Sequence, residues 1–229
     1  MKLIKHAVAF AGLATVSLAA TSAVAQVEGK VATASVSNAL LGVPSLNTAL
    51  NQVGQTYASQ LQLAQTKQTE LGELLKPYDT NGNGVIDQAE TPGLQAAPNF
   101  QQIQTLRGEI AGVENQVTAA QVYAVEQVLV QYQAAVSEVA AAQQIVMVVD
   151  PASLQYASEN ADNSEAVSAA LVTKVSAIGV VPTEGWQPSQ TSVQVFQDIQ
   201  RRRIIEQARA RAAAQQQQQQ GNTEAPAGR

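Results

Sequence analysis

The amino-acid sequence predicts an α+β chain that is mostly α: a long antiparallel helical hairpin, a coiled-coil arm, standing on a small β-containing body. Three observations carry this. Two long proline-free stretches place apolar side chains at spacings of three and four. Short segments of strand character precede the first stretch and follow the second. Ala, Gln and Val dominate while aromatic residues make up only 4% of the chain, a composition that builds good helices and little globular core.

The first element is a leader. Lys2 and Lys5 precede the apolar run Ala7–Ala20, and Ala23-Val24-Ala25 has the small-x-small pattern of a signal-peptidase site. Residues 1–25 are therefore expected to be a cleavable secretory signal peptide. The run falls short of the roughly 20 residues that span a bilayer comfortably, although an uncleaved anchor is the alternative. Residues 26–44 follow as an N-terminal strand and connector. Lys30–Val36 alternates apolar with small polar residues, and 38–44 reads as the connector.

Residues 45–148 form the arm. Its first helix runs from Ser45 to about Lys76, with Leu46, Leu50, Val53, Tyr57, Leu61, Ala64, Leu71 and Leu75 on one stripe that only Gln68 interrupts. Its second runs from Asn99 to about Gln144, with Phe100, Ile103, Leu106, Ile110, Val113, Val117, Ala120, Ala124 and Val128 on the matching stripe. Two such helices joined by one connection fold back on each other. The arm ends in a body strand at 145–149, a continuous β-branched run expected to be buried.

Residues 149–182 complete the body. Asp162–Ala177 is expected to be a short helix capped by Asn163 or Ser164, with Val167, Leu171 and Val175 on one face. Residues 178–182 end that element or form a last edge strand. Residues 183–229 make a basic, Gln-rich tail that is partly disordered. It opens with a loop around Trp186, read as a packing anchor, continues as a helix over Val193–Ala214, and ends in low-complexity sequence from Gln215 on.

Composition excludes several function classes. The chain has no cysteine, and its one histidine is His6, inside the leader. Thiol catalysis, Ser-His-Asp catalysis and most transition-metal sites are thereby ruled out of the processed chain. The arm carboxylates, among them Glu109, Glu114, Glu126 and Glu138, are not expected to converge, so general acid–base catalysis has no support and no enzyme is predicted. Loss of Lys2 and Lys5 leaves eleven cations against eighteen acids, and six of the eleven lie after Ile199. An acidic body argues against nucleic acid as a partner. The Arg201-Arg202-Arg203 triplet reads as a solvated helix face, with peripheral contact to anionic lipid as the weaker alternative.

The sharpest local motif lies between the two arm helices. Residues 79–90 fit a twelve-residue EF-hand loop: Asp79, Asn81 and Asn83 offer side-chain oxygens at positions 1, 3 and 5, and Gly84 allows the turn at position 6. Val85 offers its carbonyl at position 7, Asp87 can act through water at position 9, and Glu90 can close the shell with two oxygens at position 12. Ca²⁺ in a structural role is the cofactor this pattern predicts. Pro77, Pro92-Gly93 and the two Asn ligands predict weak affinity, on the order of 10⁻⁴–10⁻³ M. The alternative is a Gly/Asn-rich turn without metal.

The order of elements resembles the Skp/OmpH family of periplasmic chaperones. The residues that carry the resemblance are Lys30-Val31-Ala32-Thr33-Ala34-Ser35-Val36 after the cleavage site, Ile145-Val146-Met147-Val148-Val149-Asp150-Pro151 after the arm, and Ser164-Glu165-Ala166-Val167 with Leu171. It covers roughly residues 27–180. The resemblance implies a homotrimer whose strands and short helices form a trimerisation body. Its three arms would enclose a cavity that holds unfolded outer-membrane proteins in the Gram-negative periplasm, without ATP. Association is also expected on physical grounds, because one chain has too few strands to close a core. The chain departs from the family in its EF-hand-like insertion and its acidic body, with five cations against sixteen acids between Gln26 and Asp198. The alternative function is an exported calcium-binding coiled-coil interaction protein without chaperone activity.

Overall fold

A computed structural model describes residues 29–223; the expected leader lies outside them. The fold is α+β and mostly α. Strand β1 (Lys30–Thr33) pairs in parallel with β2 (Ile145–Val149), and the whole arm is the crossover between them. Val31 faces Met147, Ala32 faces Val148 and Thr33 faces Val149, while Lys30 pairs with Ile145, so Val146 is bulged out of register. The strand predicted over 145–149 is present but not buried as expected. Only Ile145 is covered, and Val146 and Met147 keep 52% and 47% of their surface exposed. A β-branched run signals a sheet covered on both faces, and one chain supplies too few elements to cover this one.

The expected connector is a helix. β1 stops at Thr33, and α1 (Val36–Leu41) begins after Ser35, whose hydroxyl accepts the Asn38 N–H at 3.4 Å. The Ser35 N–H donates to the Ser164 hydroxyl at 2.9 Å, which ties this turn to the start of α6 (Ser164–Lys174). α1 buries Ala39 and Leu40 against α6. The approach is close enough that a Cβ on Gly42 would lie 2.3 Å from the Ser168 hydroxyl oxygen. At the head of α6 neither predicted cap acts through its side chain at the cap position. Asp162 does so instead, accepting the Ser164 N–H at 2.9 Å and its hydroxyl at 2.6 Å.

The hairpin forms as the stripes predict. α2 (Pro44–Thr56) and α3 (Ala58–Leu75) are one rod with a local distortion at Tyr57, across which helical hydrogen bonds continue: Tyr57 N–H to Val53 and Leu61 N–H to Tyr57. α5 (Phe100–Gln143) is 44 residues long, about 66 Å at 1.5 Å per residue. It ends on Gln144, which takes the left-handed conformation at φ 57° and donates its N–H to the Ala140 and Ala141 carbonyls. The lower halves of these helices share one core with α1, α6 and α7 (Gln190–Thr223), centred on Leu40, Leu46, Val53, Val125, Val128 and Leu171.

Above Tyr57 the arm thins. α5 buries Ile103, Leu106 and Ile110, but α3 buries only Ala64; Leu61 is exposed, and Leu71 and Leu75 are half-buried. The predicted seam is therefore fuller on α5, where Phe100, Val113 and Val117 are half-buried and the rest buried, than on α3. Lys67 and Glu109 bridge the two at 2.7 Å, and the Gln102 amide donates to Glu70 at 3.1 Å.

Two further expectations change. Residues 178–182 form no strand; the Gln127 side chain clamps Gly179 by accepting its N–H at 2.9 Å and donating to its carbonyl at 2.8 Å. The C-terminal helix starts earlier than predicted, with the Ser189 hydroxyl accepting the Ser192 N–H at 3.1 Å. It also continues through the Gln run to Thr223, where disorder was expected. Ala and Gln extend a helix at little cost once a docked segment has nucleated it. Trp186 packs edge-on against Tyr123 with ring centroids 5.1 Å apart, in the anchoring role expected of it. Among the described residues no helix is long and apolar enough to cross a membrane.

Candidate functional sites

The tip of the arm is a closed loop. α3 runs into a 3₁₀ turn over Lys76–Tyr78, residues 79–90 cross over, and α4 (Thr91–Gln95) leads back to α5. Leu94 and Ala97 are buried beneath the loop, and the Tyr78 hydroxyl donates to the Asn99 side-chain oxygen at 3.0 Å. Each predicted side-chain ligand is held by the loop's own amides. Asp79 accepts the N–H groups of Asn83 at 3.1 Å and Gly84 at 2.7 Å. Asn81 accepts from Asn83 at 3.0 Å, and Asn83 accepts from Val85 at 2.8 Å. Asp87 accepts from Ala89 at 2.8 Å and Glu90 at 3.2 Å. Gly84 sits at φ 81°, the left-handed turn that its position in the motif demands.

Glu90 is the centre of this network and is buried despite its charge. One of its oxygens accepts the Thr80 N–H at 2.6 Å, the Thr80 hydroxyl at 2.8 Å and the Asn81 N–H at 3.1 Å; the other accepts the Asp87 N–H at 3.2 Å. The Thr80 hydroxyl, followed by these backbone donors, holds the Glu90 carboxyl below its ordinary pKa of 4.5 against the opposing effect of burial. Thr80 is a residue the sequence did not single out; its place beside position 1 of the motif was the only signal.

The donor types therefore fit a hard cation; Asp79 and Asn81 both accept the Asn83 N–H, and the Asn81 amide donates to Asp87 at 2.9 Å. Among the described residues no group of three or more His, Cys, Asp or Glu is close enough to hold a metal ion. Both Glu90 oxygens are taken up by donors of residues 80, 81 and 87. A cation at this loop would have to exchange those hydrogen bonds for coordination.

The second candidate is the open face of the body. Val31, Val146 and Met147 are exposed beside a cleft of about 410 Å³ lined by Tyr132, Val136, Ala140 and β2. Burial, with the charges of Asp150 and Asp162 adding to it, raises the Tyr132 phenol above its usual pKa of 10.0. No nucleophile–base pair lies here. The arm carboxylates are dispersed, with Glu109 paired to Lys67 and Glu138 paired to Lys174 at 2.7 Å.

The arginine triplet is not a plain solvated face. Arg201 pairs with Asp198 at 3.1 Å, but Arg202 donates to the Ser37 and Ser35 hydroxyls at 3.0 and 3.4 Å, and Arg203 donates to the Asn47 side chain. Two of the three cations latch α7 onto α1 and α2, which sequence alone did not reveal.

No protein-family model matches the chain, and no curated protein matches it. One solved structure to which it is similar is described as a "putative outer membrane chaperone (OmpH-like)" from Caulobacter crescentus. The two share 18% identity at a TM-score of 0.40, over 68% of this chain and 92% of that one. A likeness of this degree carries no conclusion about activity, which has to come from the arm, the tip and the open sheet.

Proposed function

We propose that the protein is an ATP-independent holdase of the Gram-negative periplasm, of the Skp/OmpH kind, which holds unfolded outer-membrane proteins in a cavity formed by the arms of a homotrimer. The carrying observation is a helical arm rooted in a two-stranded parallel sheet whose apolar face is left open. Such a sheet is too small to be stable alone and presents unpaired backbone groups to another chain. Association through Val31, Val146 and Met147 would place several arms side by side. Clients would then be held by many weak contacts with exposed apolar side chains such as Leu61 and Leu63. Capture by positive charge has little support, because three of the body's five cations are already paired with carboxylates.

The tip loop is part of this proposal as a weak structural Ca²⁺ site. Asp79, Asn81, Asn83, Asp87 and Glu90 would supply side-chain oxygens and Val85 its carbonyl, at the cost of the Glu90 hydrogen bonds. The metal would serve as a clip across the tip with no part in chemistry, and no enzymatic activity is proposed. Calorimetric titration with Ca²⁺ tests the site, and no heat at millimolar metal would remove it.

The holdase reading is tested by light scattering of an unfolded outer-membrane barrel diluted out of urea. Added protein is expected to suppress the scattering without nucleotide. Unchanged scattering would leave the alternative, an exported calcium-binding coiled-coil interaction protein.

A further inference from the structure

The C-terminal helix has two parts with different surroundings. Up to Arg203 it belongs to the body, with Ser192, Phe196 and Ile199 buried. From Ile204 to Gln216 every side chain is exposed, including the adjacent isoleucines 204 and 205. This spur carries Arg209 and Arg211, and neither forms an ion pair among the described residues. The helix has no glycine or proline before Gly221 and is unbroken through Thr223. Both arginines therefore lie on an exposed face, where solvent or another molecule meets their charge.

The matching surface lies on the arm. Where Gln68 interrupts the apolar seam, an open groove remains between α3 and α5, lined by the exposed Leu61, the largely covered Ala64, Gln65, Gln68 and Thr69, and bordered by Glu114. Leu61 is exposed, and Glu114 is exposed without an ion pair among the described residues. Spur and groove thus present matching features with opposite charge: an apolar pair with a cation one turn along, and an exposed leucine among amides with a carboxylate at its border.

We propose that the spur docks into the arm groove of a second copy of this chain, with Ile204 and Ile205 against Leu61, and Arg209 or Arg211 against Glu114. A second copy is favoured over a lipid surface because the spur has two large apolar residues and otherwise Ala, Gln and charge, too little apolar surface for a membrane-lying helix. The contact is exposed and charge-dependent, so it weakens as the Debye length shrinks from ~30 Å at 0.01 M salt to ~3 Å at 1 M. It does not depend on the sheet-edge trimer, whose contacts are apolar.

Sedimentation of the purified protein at both salt concentrations tests this. The average mass is expected to be higher at low salt, to rise with protein concentration there, and to fall to a constant value at high salt. Arg209→Gln with Arg211→Gln is expected to weaken the low-salt association by about two- to fivefold, as is Glu114→Gln. Reversal of both sides, Glu114→Arg with Arg209→Glu and Arg211→Glu, should restore it. The same mass at both salts overturns the proposal, and so does an unchanged salt response in the arginine variant. Spur-dependent binding to phosphatidylglycerol vesicles without any change in mass overturns it in favour of lipid. If the high-salt mass is that of a single chain, the trimer reading fails while a low-salt excess still supports the spur contact.

Discussion

Ile199→Ala is the substitution that reports most clearly on the docking of the C-terminal helix. Ile199 is 0% exposed and sits in the shared core, one turn from the buried Phe196. Removing three carbons forfeits roughly 2.4 kcal/mol of transfer free energy at ~0.8 kcal/mol each. The cavity left behind brings the cost into the range of about 2–5 kcal/mol. Ile204→Ala, five residues further on, changes the same atoms at a position 66% exposed and should stay within about 0.5 kcal/mol of the parent protein. Equilibrium unfolding in urea separates the two. At an m-value of ~2–3 kcal/mol/M, Ile199→Ala should lower the midpoint on the order of 1 M with an unchanged slope, and Ile204→Ala should leave it in place. Equal midpoints for the two variants would show that the helix is not packed into the body, and with it the Arg202 and Arg203 latch would fall.

Three other outcomes follow from single positions. Gln144→Gly should raise stability by about 1 kcal/mol, measured by the same unfolding curves, because Gln144 caps α5 at φ 57° where a side chain is disfavoured; an unchanged midpoint would contradict it. Gly42→Ala should cost about 1–3 kcal/mol, since its Cβ would meet the Ser168 hydroxyl at 2.3 Å, and Ser168→Ala should recover part of that loss; a neutral Gly42→Ala would show that α1 and α6 are not so closely apposed. The Glu90 carboxyl is lowered below 4.5 in the folded chain, so its contribution is complete above that pH and is lost as pH falls through the folded value. Hydrogen-exchange protection of the Thr80 and Asn81 amides should therefore be level at neutral pH and decline in acid, and Glu90→Gln should remove that pH dependence. Acid loss of protection that is the same in Glu90→Gln as in the parent protein would contradict the role given to Glu90.

The arm was legible because periodicity encodes it directly. Stripes such as Ile103, Leu106 and Ile110 can be read from spacing alone, and they are buried as the spacing requires. The body was less legible because its elements are short. Six residues from Val36 to Leu41 show no full period, and only the Ser35 cap hinted that the connector is a helix. Burial of β2 was over-read because a β-branched run reports propensity rather than how many elements remain to cover it. The residue types of the tip were legible. What Glu90 bonds to was not, since four donors from residues 80, 81 and 87 converge on it only once the loop has closed. The same holds for Arg202, whose hydroxyl partners lie more than 160 residues away in sequence.

In the proposed holdase several arms enclose one unfolded client without nucleotide. The most direct measurement is the sedimentation mass, at high salt and without ATP, of the species formed when an unfolded outer-membrane barrel is diluted into the protein. A discrete complex of three chains and one client is expected, alongside a free protein of three chain masses. A free protein sedimenting as a single chain, with the client pelleting as aggregate beside it, would rule the holdase out.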